Sequence, residues 1–173
     1  MFRNILVSVD GSPHAERALS EAIDIATESR GRVTLLTAVS TPPPWAYNPV
    51  SAGVLQSLAS ELAHESEEVL RAAVERVPNS IPVTSILSHK PVRKALMCEL
   101  SSGRHDLLVM GSRGRKAVQA SLFGSVSHFA LNHSPIPVLV IHENDAPKSG
   151  ARRLAEAGLP LQEPGPGGAL STA

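Results

Sequence analysis

Between Gly111 and Ser125 the chain reads "GSRGRKAVQASLFGS", which sets Gly111 and Gly114 three residues apart and puts nine residues between Gly114 and Gly124. Arg113, Arg115 and Lys116 lie among and just after the first two glycines. These residue types suit one kind of chemistry, the holding of an anion. Glycines let backbone amides turn toward a ligand, with no Cβ in the way. Gly124-Ser125 stands where a helix is expected to begin, and a helix N-terminus offers unpaired N–H groups and the positive end of its dipole. Ser125 adds a hydroxyl donor, and the three cations supply counter-charge. Asp10, after the first apolar run, is the other residue of note. A carboxylate there could bind a ribose hydroxyl, an adenine amino group, or a metal ion on the phosphates.

Such residues act together only if the elements around them bring them together. Ile5–Val9, "ILVSV", is a β-rich run stopped by Asp10-Gly11-Ser12-Pro13. Ser12 is a suitable N-cap and Pro13 fits the first helical position. Ala15, Ala18, Leu19, Ala22, Ile23 and Ala26 then recur at helical spacing, with Gly31 just beyond the expected end. Val33–Val39 forms a second strand, followed by the proline-rich "STPPPWAYNPV", in which Trp45 and Tyr47 are expected to pack on the domain. A second amphipathic pattern runs from near Ser51 to about Val77 through Leu55, Leu58, Leu62, Val69, Leu70 and Ala73. Val83–Leu87 is the third strand. Pro91 opens a third helix with Val92, Ala95, Leu96 and Leu100, closed by Gly103, and Cys98 within it is expected to be a small buried group. Leu107–Met110 is the fourth strand, a helix is expected from about Ser125 to Asn132, and Val138–Ile141 is the fifth strand. Alternation of this kind predicts an α/β domain with a parallel sheet and helices on both faces. In open sheets of that class, ligands bind beyond the carboxyl ends of the strands where strand order reverses. If strands one and four are neighbours, Asp10 faces the glycine loop.

The pattern G-x-x-G, nine residues, G-S, between a fourth and a fifth strand resembles the ATP-binding branch of the universal stress protein family. "ILVSVDGSPHAERAL", "DLLVMGSRGRK" and "SLFGSVSHFALNHSPIPVLVI" carry the resemblance, which covers residues 1–142. It implies a Rossmann-like domain of the adenine nucleotide alpha hydrolase-like type, five parallel strands in the order 3-2-1-4-5. It implies ATP as ligand, with magnesium or manganese through the phosphates, and a homodimer through the fifth strand. By position, Ser8 and Asp10 would lie beside the adenosine and Ala38 would offer backbone to the adenine. Met110, Gly111, Ser112, Arg113, Gly114, Arg115 and Lys116 would hold ribose and phosphates. Gly124, Ser125, Val126 and Ser127 would hold the terminal phosphates. Two positions depart from the family pattern: His89 replaces a glycine two residues before Pro91, and Ala38 is smaller than usual.

Bulk properties narrow the remaining choices. Lysine plus arginine balance aspartate plus glutamate, 16 against 16, so no global field points to nucleic acid or an anionic membrane. A single cysteine rules out an intrachain disulfide framework. No apolar run approaches the roughly 20 residues a membrane span needs, and a soluble, cytoplasmic protein is expected. There is no P-loop motif, no G-x-G-x-x-G after the first strand, no G-x-S-x-G elbow and no clustered zinc-ligand pattern. Nothing in the glycine stretch places an attacking water or general base, so at most slow ATP hydrolysis is expected. The leading expectation is an ATP-binding stress or signalling module. The alternative is a dimeric interaction module of the same fold that binds no nucleotide and contacts a protein partner. Residues 143–173, rich in proline, glycine and small residues, read as a disordered tail.

Overall fold

The computed structural model describes residues 1–42, 52–115 and 124–142. Five strands alternate with four helices in chain order: β1 Asn4–Ser8, α1 Pro13–Ser29, β2 Arg32–Ala38, α2 Ala52–Arg76, β3 Val83–Ser88, α3 Val92–Leu100, β4 Leu107–Gly111, α4 Ser125–His133 and β5 Val138–Ile141. All strand pairs are parallel, in the order β3-β2-β1-β4-β5. The expected fold class and strand order are therefore those observed.

Alternation along the strands builds two cores. On one face, Ile5, Val7 and Val9 join Val33, Leu35, Leu107 and Val109 beneath α1 and the second half of α2. On the other, Leu6, Leu36, Leu108 and Met110 pack against Ala95, Leu96 and Leu100 of α3 and Ala130 of α4. The central strands are covered on both sides, which is why they read as unbroken apolar runs. The edges are not. The first half of β3 is exposed, and all four residues of β5 are only half-buried.

Local chemistry sets the element ends. Ser12 accepts from the Ala15 N–H as N-cap of α1, and Pro13 takes the first helical position. The end of α1 differs from expectation. The left-handed residue is Arg30, with φ of 50°, and the N–H groups of Arg30 and Gly31 return to Thr27 and Ala26. Gly31 is required for a different reason: a Cβ there would stand 2.8 Å from the Arg3 carbonyl oxygen. Pro91 proves to be the N-cap of α3. Cys98 is exposed rather than buried. The buried face of α3 is set by Ala95, Leu96 and Leu100, and at 100° per residue position 98 falls on the opposite side of that helix.

At the amino end of the β1–β4 pair, the Asp106 carboxylate accepts from the N–H groups of Arg3 at 2.9 Å and Asn4 at 3.0 Å. At the carboxyl end, Ser8 pairs with Met110. There the sheet order reverses, since β1 connects outward to β2 on one side while β4 leads to β5 on the other.

Candidate functional site

The carboxyl ends of β1, β2 and β4 open into a cleft of about 860 Å³. That volume falls within the roughly 300–1,000 Å³ typical of small-molecule sites. Every described residue that the family resemblance assigns to the ligand lines it: Ser8, Asp10, Ala38, Met110, Gly111, Ser112, Arg113, Gly114, Arg115, Gly124, Ser125, Val126 and Ser127. Lys116 lies outside the described residues, as do Trp45, Tyr47 and residues 143–173.

Asp10 ties the floor of the cleft together. One carboxylate oxygen accepts from the Ser12 N–H at 3.0 Å and the Ser12 hydroxyl at 2.6 Å. The other accepts from the Arg115 N–H at 3.1 Å. The carboxylate thus joins the start of α1 to the loop after β4. Gly114 lies against it, and a Cβ at that position would stand 2.7 Å from Oδ2. Gly111 is needed on the other side of the same loop, because its missing Cβ would meet the backbone of His14 and Ala15 at 2.8 Å. Neither glycine has a positive φ. Both are there for close approach.

The start of α4 forms the second wall. Gly124 is the N-cap and brings no side chain to it. Its own N–H donates to the Ser112 carbonyl at 2.7 Å. The Ser127 hydroxyl, nearly fully buried, donates to the same carbonyl at 2.7 Å. Those two groups fix where the helix begins. The N–H groups of Ser125, Val126 and Ser127 remain at the mouth, with no intrahelical acceptor and no side-chain cap. Ser112 is itself pinned, its N–H to the Ile141 carbonyl at 2.7 Å and its hydroxyl to His142 Nδ1 at 2.9 Å. His142 stacks on His14 with ring centroids 5.1 Å apart.

Two arginines complete the electrostatics. The Arg113 Nε is buried without a hydrogen-bond partner among the described residues. The Arg115 guanidinium pairs with Glu65 of α2. Sequence reasoning missed the α2 wall. Leu62, Glu65, Ser66 and Val69 line the cleft, and their spacing of three, four and seven residues is the only trace such a helix face leaves in sequence. The β2 end was also underread, since Thr37, Val39, Ser40 and Thr41 line the cleft beside Ala38. Among the described residues, no group of three or more His, Cys, Asp or Glu side chains is placed to hold a metal ion.

The model of the universal stress protein family matches residues 1–142. The chain belongs to the universal stress protein family. A universal stress protein from Staphylococcus haemolyticus is 31% identical over 151 residues, covering 85% of this chain and 88% of that protein. Among solved structures of the family, the universal stress protein UspA from Lactobacillus plantarum matches with a TM-score of 0.72 at 25% identity. It covers 80% of this chain and 97% of that one. A universal stress protein in complex with cAMP matches with a TM-score of 0.58 at 26% identity, covering 83% and 99% of the two chains.

Proposed function

We propose that this universal stress protein binds an adenine nucleotide, ATP in the first instance, in the cleft at the carboxyl ends of β1, β2 and β4. One observation carries the reading: the α4 N–H groups and the glycine turn after β4 open onto the same cleft as the ends of β1 and β2. A nucleotide needs both ends, a surface for the base and a cradle of donors for the phosphates.

The residues present fit such a ligand. Gly114 lets the loop close on Asp10, Gly124 brings no side chain to the start of α4, and Arg113 adds positive charge beside them. The N–H groups of Ser125, Val126 and Ser127 would take phosphate oxygens, with Arg113 and Arg115 as counter-charge. Ser8, Thr37 and Ala38 would meet the nucleoside. Asp10 would work mainly by shaping the loop, because its oxygens already accept from Ser12 and Arg115. The neighbour that holds cAMP supports an adenine ligand in this fold. Magnesium or manganese would be carried by the phosphates and water, since the described residues bring no ligand set of their own.

The biological reading that follows is a nucleotide-responsive stress or signalling module, acting as a homodimer through the edge strand β5. ATP would shift populations by binding one state more tightly than another. The decisive test is calorimetric titration with ATP and magnesium beside a thermal-shift assay. Binding heat and a raised melting temperature are expected. Neither signal at millimolar nucleotide would leave the interaction-module reading in its place.

A further inference from the structure

The helix α2 crosses the cleft wall with Leu62, Glu65, Ser66 and Val69 on one face. Among the described residues, four charged side chains line the cleft, two acidic and two basic: Asp10, Glu65, Arg113 and Arg115. They are not equivalent. Asp10 already accepts from three donors of the fold. Arg113 is half-buried, with its Nε unpartnered among the described residues. Glu65 and Arg115 are joined to each other, with side chains 45% and 40% exposed. Arg115 is also held by its main chain, whose N–H donates to Asp10. Its guanidinium can therefore change partners while its backbone stays on the cleft floor.

We propose that Glu65 is a built-in competitor for the phosphates. Its carboxylate occupies the Arg115 guanidinium in the free protein, and a bound phosphate takes that guanidinium over. This rests on the nucleotide reading of the cleft and adds to it a residue that sets ligand preference. A guanidinium binds carboxylate and phosphate oxygens by the same planar fork, so the two compete for one donor set. An uncharged nucleoside offers no such exchange. Glu65 therefore weakens phosphorylated ligands selectively, by holding the cation and by repelling the incoming charge. By linkage, phosphate binding releases Glu65 and with it the contact of α2 to the loop after β4.

The test uses the full-length protein, titrated with magnesium ATP and separately with adenosine. Glu65→Gln keeps the size of the side chain and removes the charge. The exposed position sets the scale: ATP should bind about three- to fivefold more tightly, with adenosine unchanged. Most of the gain should be lost in the Arg115→Gln background, where there is no cation to contest and only the repulsion by the carboxylate remains. Glu65→Lys should tighten ATP further, and a thermal melt of each variant confirms that it is folded. If the wild type binds ATP but Glu65→Gln shifts ATP and adenosine alike, or neither, the competitor role is overturned while the nucleotide reading stands. If the wild type binds neither ligand, both fall. A gain from Glu65→Gln that persists undiminished without Arg115 also overturns the proposal.

Discussion

Gly114→Ala is expected to destabilise the domain through a single contact, and that contact can be removed. The substituted Cβ would stand 2.7 Å from Asp10 Oδ2, and every described neighbour within 4 Å is an atom of Asp10. The carboxylate must retreat about 0.7 Å to reach the 3.4 Å of ordinary contact. Moving away from residue 114 also stretches its 3.1 Å bond to the Arg115 N–H, beyond useful range. Losing one charge-assisted bond at this part-exposed site costs about 1–2 kcal/mol. For a domain of this size that lowers the melting temperature by roughly 2–8 °C. Asp10→Ala loses the same bond and the two to Ser12, so it should cost at least as much. The informative variant is the double substitution. With Asp10 truncated, the added methyl meets nothing described, and Gly114 has no positive φ to strain. Its cost should then fall to within about 0.5 kcal/mol of zero. Thermal or urea melts of the four proteins close the cycle. Additive costs would refute the reasoning, because they would place the need for glycine somewhere other than the Asp10 carboxylate.

Gly124→Asp should separate stability from binding: a carboxylate suits an N-cap, so the melting temperature should hold or rise, yet its charge lies where phosphate would, and ATP titration should show at least a tenfold loss. Ser127→Ala removes a buried hydroxyl bonded to the Ser112 carbonyl and should cost about 1 kcal/mol in a denaturant melt. Ser125→Ala, at an exposed position, should leave stability alone and weaken ATP instead. Gly111→Ala meets backbone at 2.8 Å, which cannot step aside, and should lower the melting temperature more than Gly114→Ala does. Sedimentation at tens of micromolar (an order chosen for a weak interface) should show a dimer, with the half-buried strand β5 as its seam.

The order of strands and helices was legible because each central strand is apolar on both faces and α1, α2 and α3 carry apolar stripes, while the Gly124-Ser125 step marked the start of α4. Ser12-Pro13 marked the start of α1 for reasons internal to two residues. The loop after β4 was legible as a cluster because its glycines and cations are close in sequence. What each glycine does was not. The obstacles that require Gly31, Gly111 and Gly114 are Arg3, His14 with Ala15, and Asp10, all distant in the chain. The α2 wall was hidden for the same reason: Leu62, Glu65, Ser66 and Val69 read as an ordinary helix face until β1 and β4 are placed beside it. Cys98 was misread because its apolar character was weighed without its angle around α3.

Asp106 holds the lower end of the β1–β4 seam through the N–H groups of Arg3 and Asn4, far from the cleft. The sheet is thereby anchored at one end by bonds that no ligand touches, and at the other by Asp10 and the glycine loop. Along this seam the cleft end is the one a ligand can stiffen. In amide exchange, the ladder around Ser8 and Met110 should slow when the cleft fills, while that around Ile5 and Leu107 keeps one pace with or without an occupant.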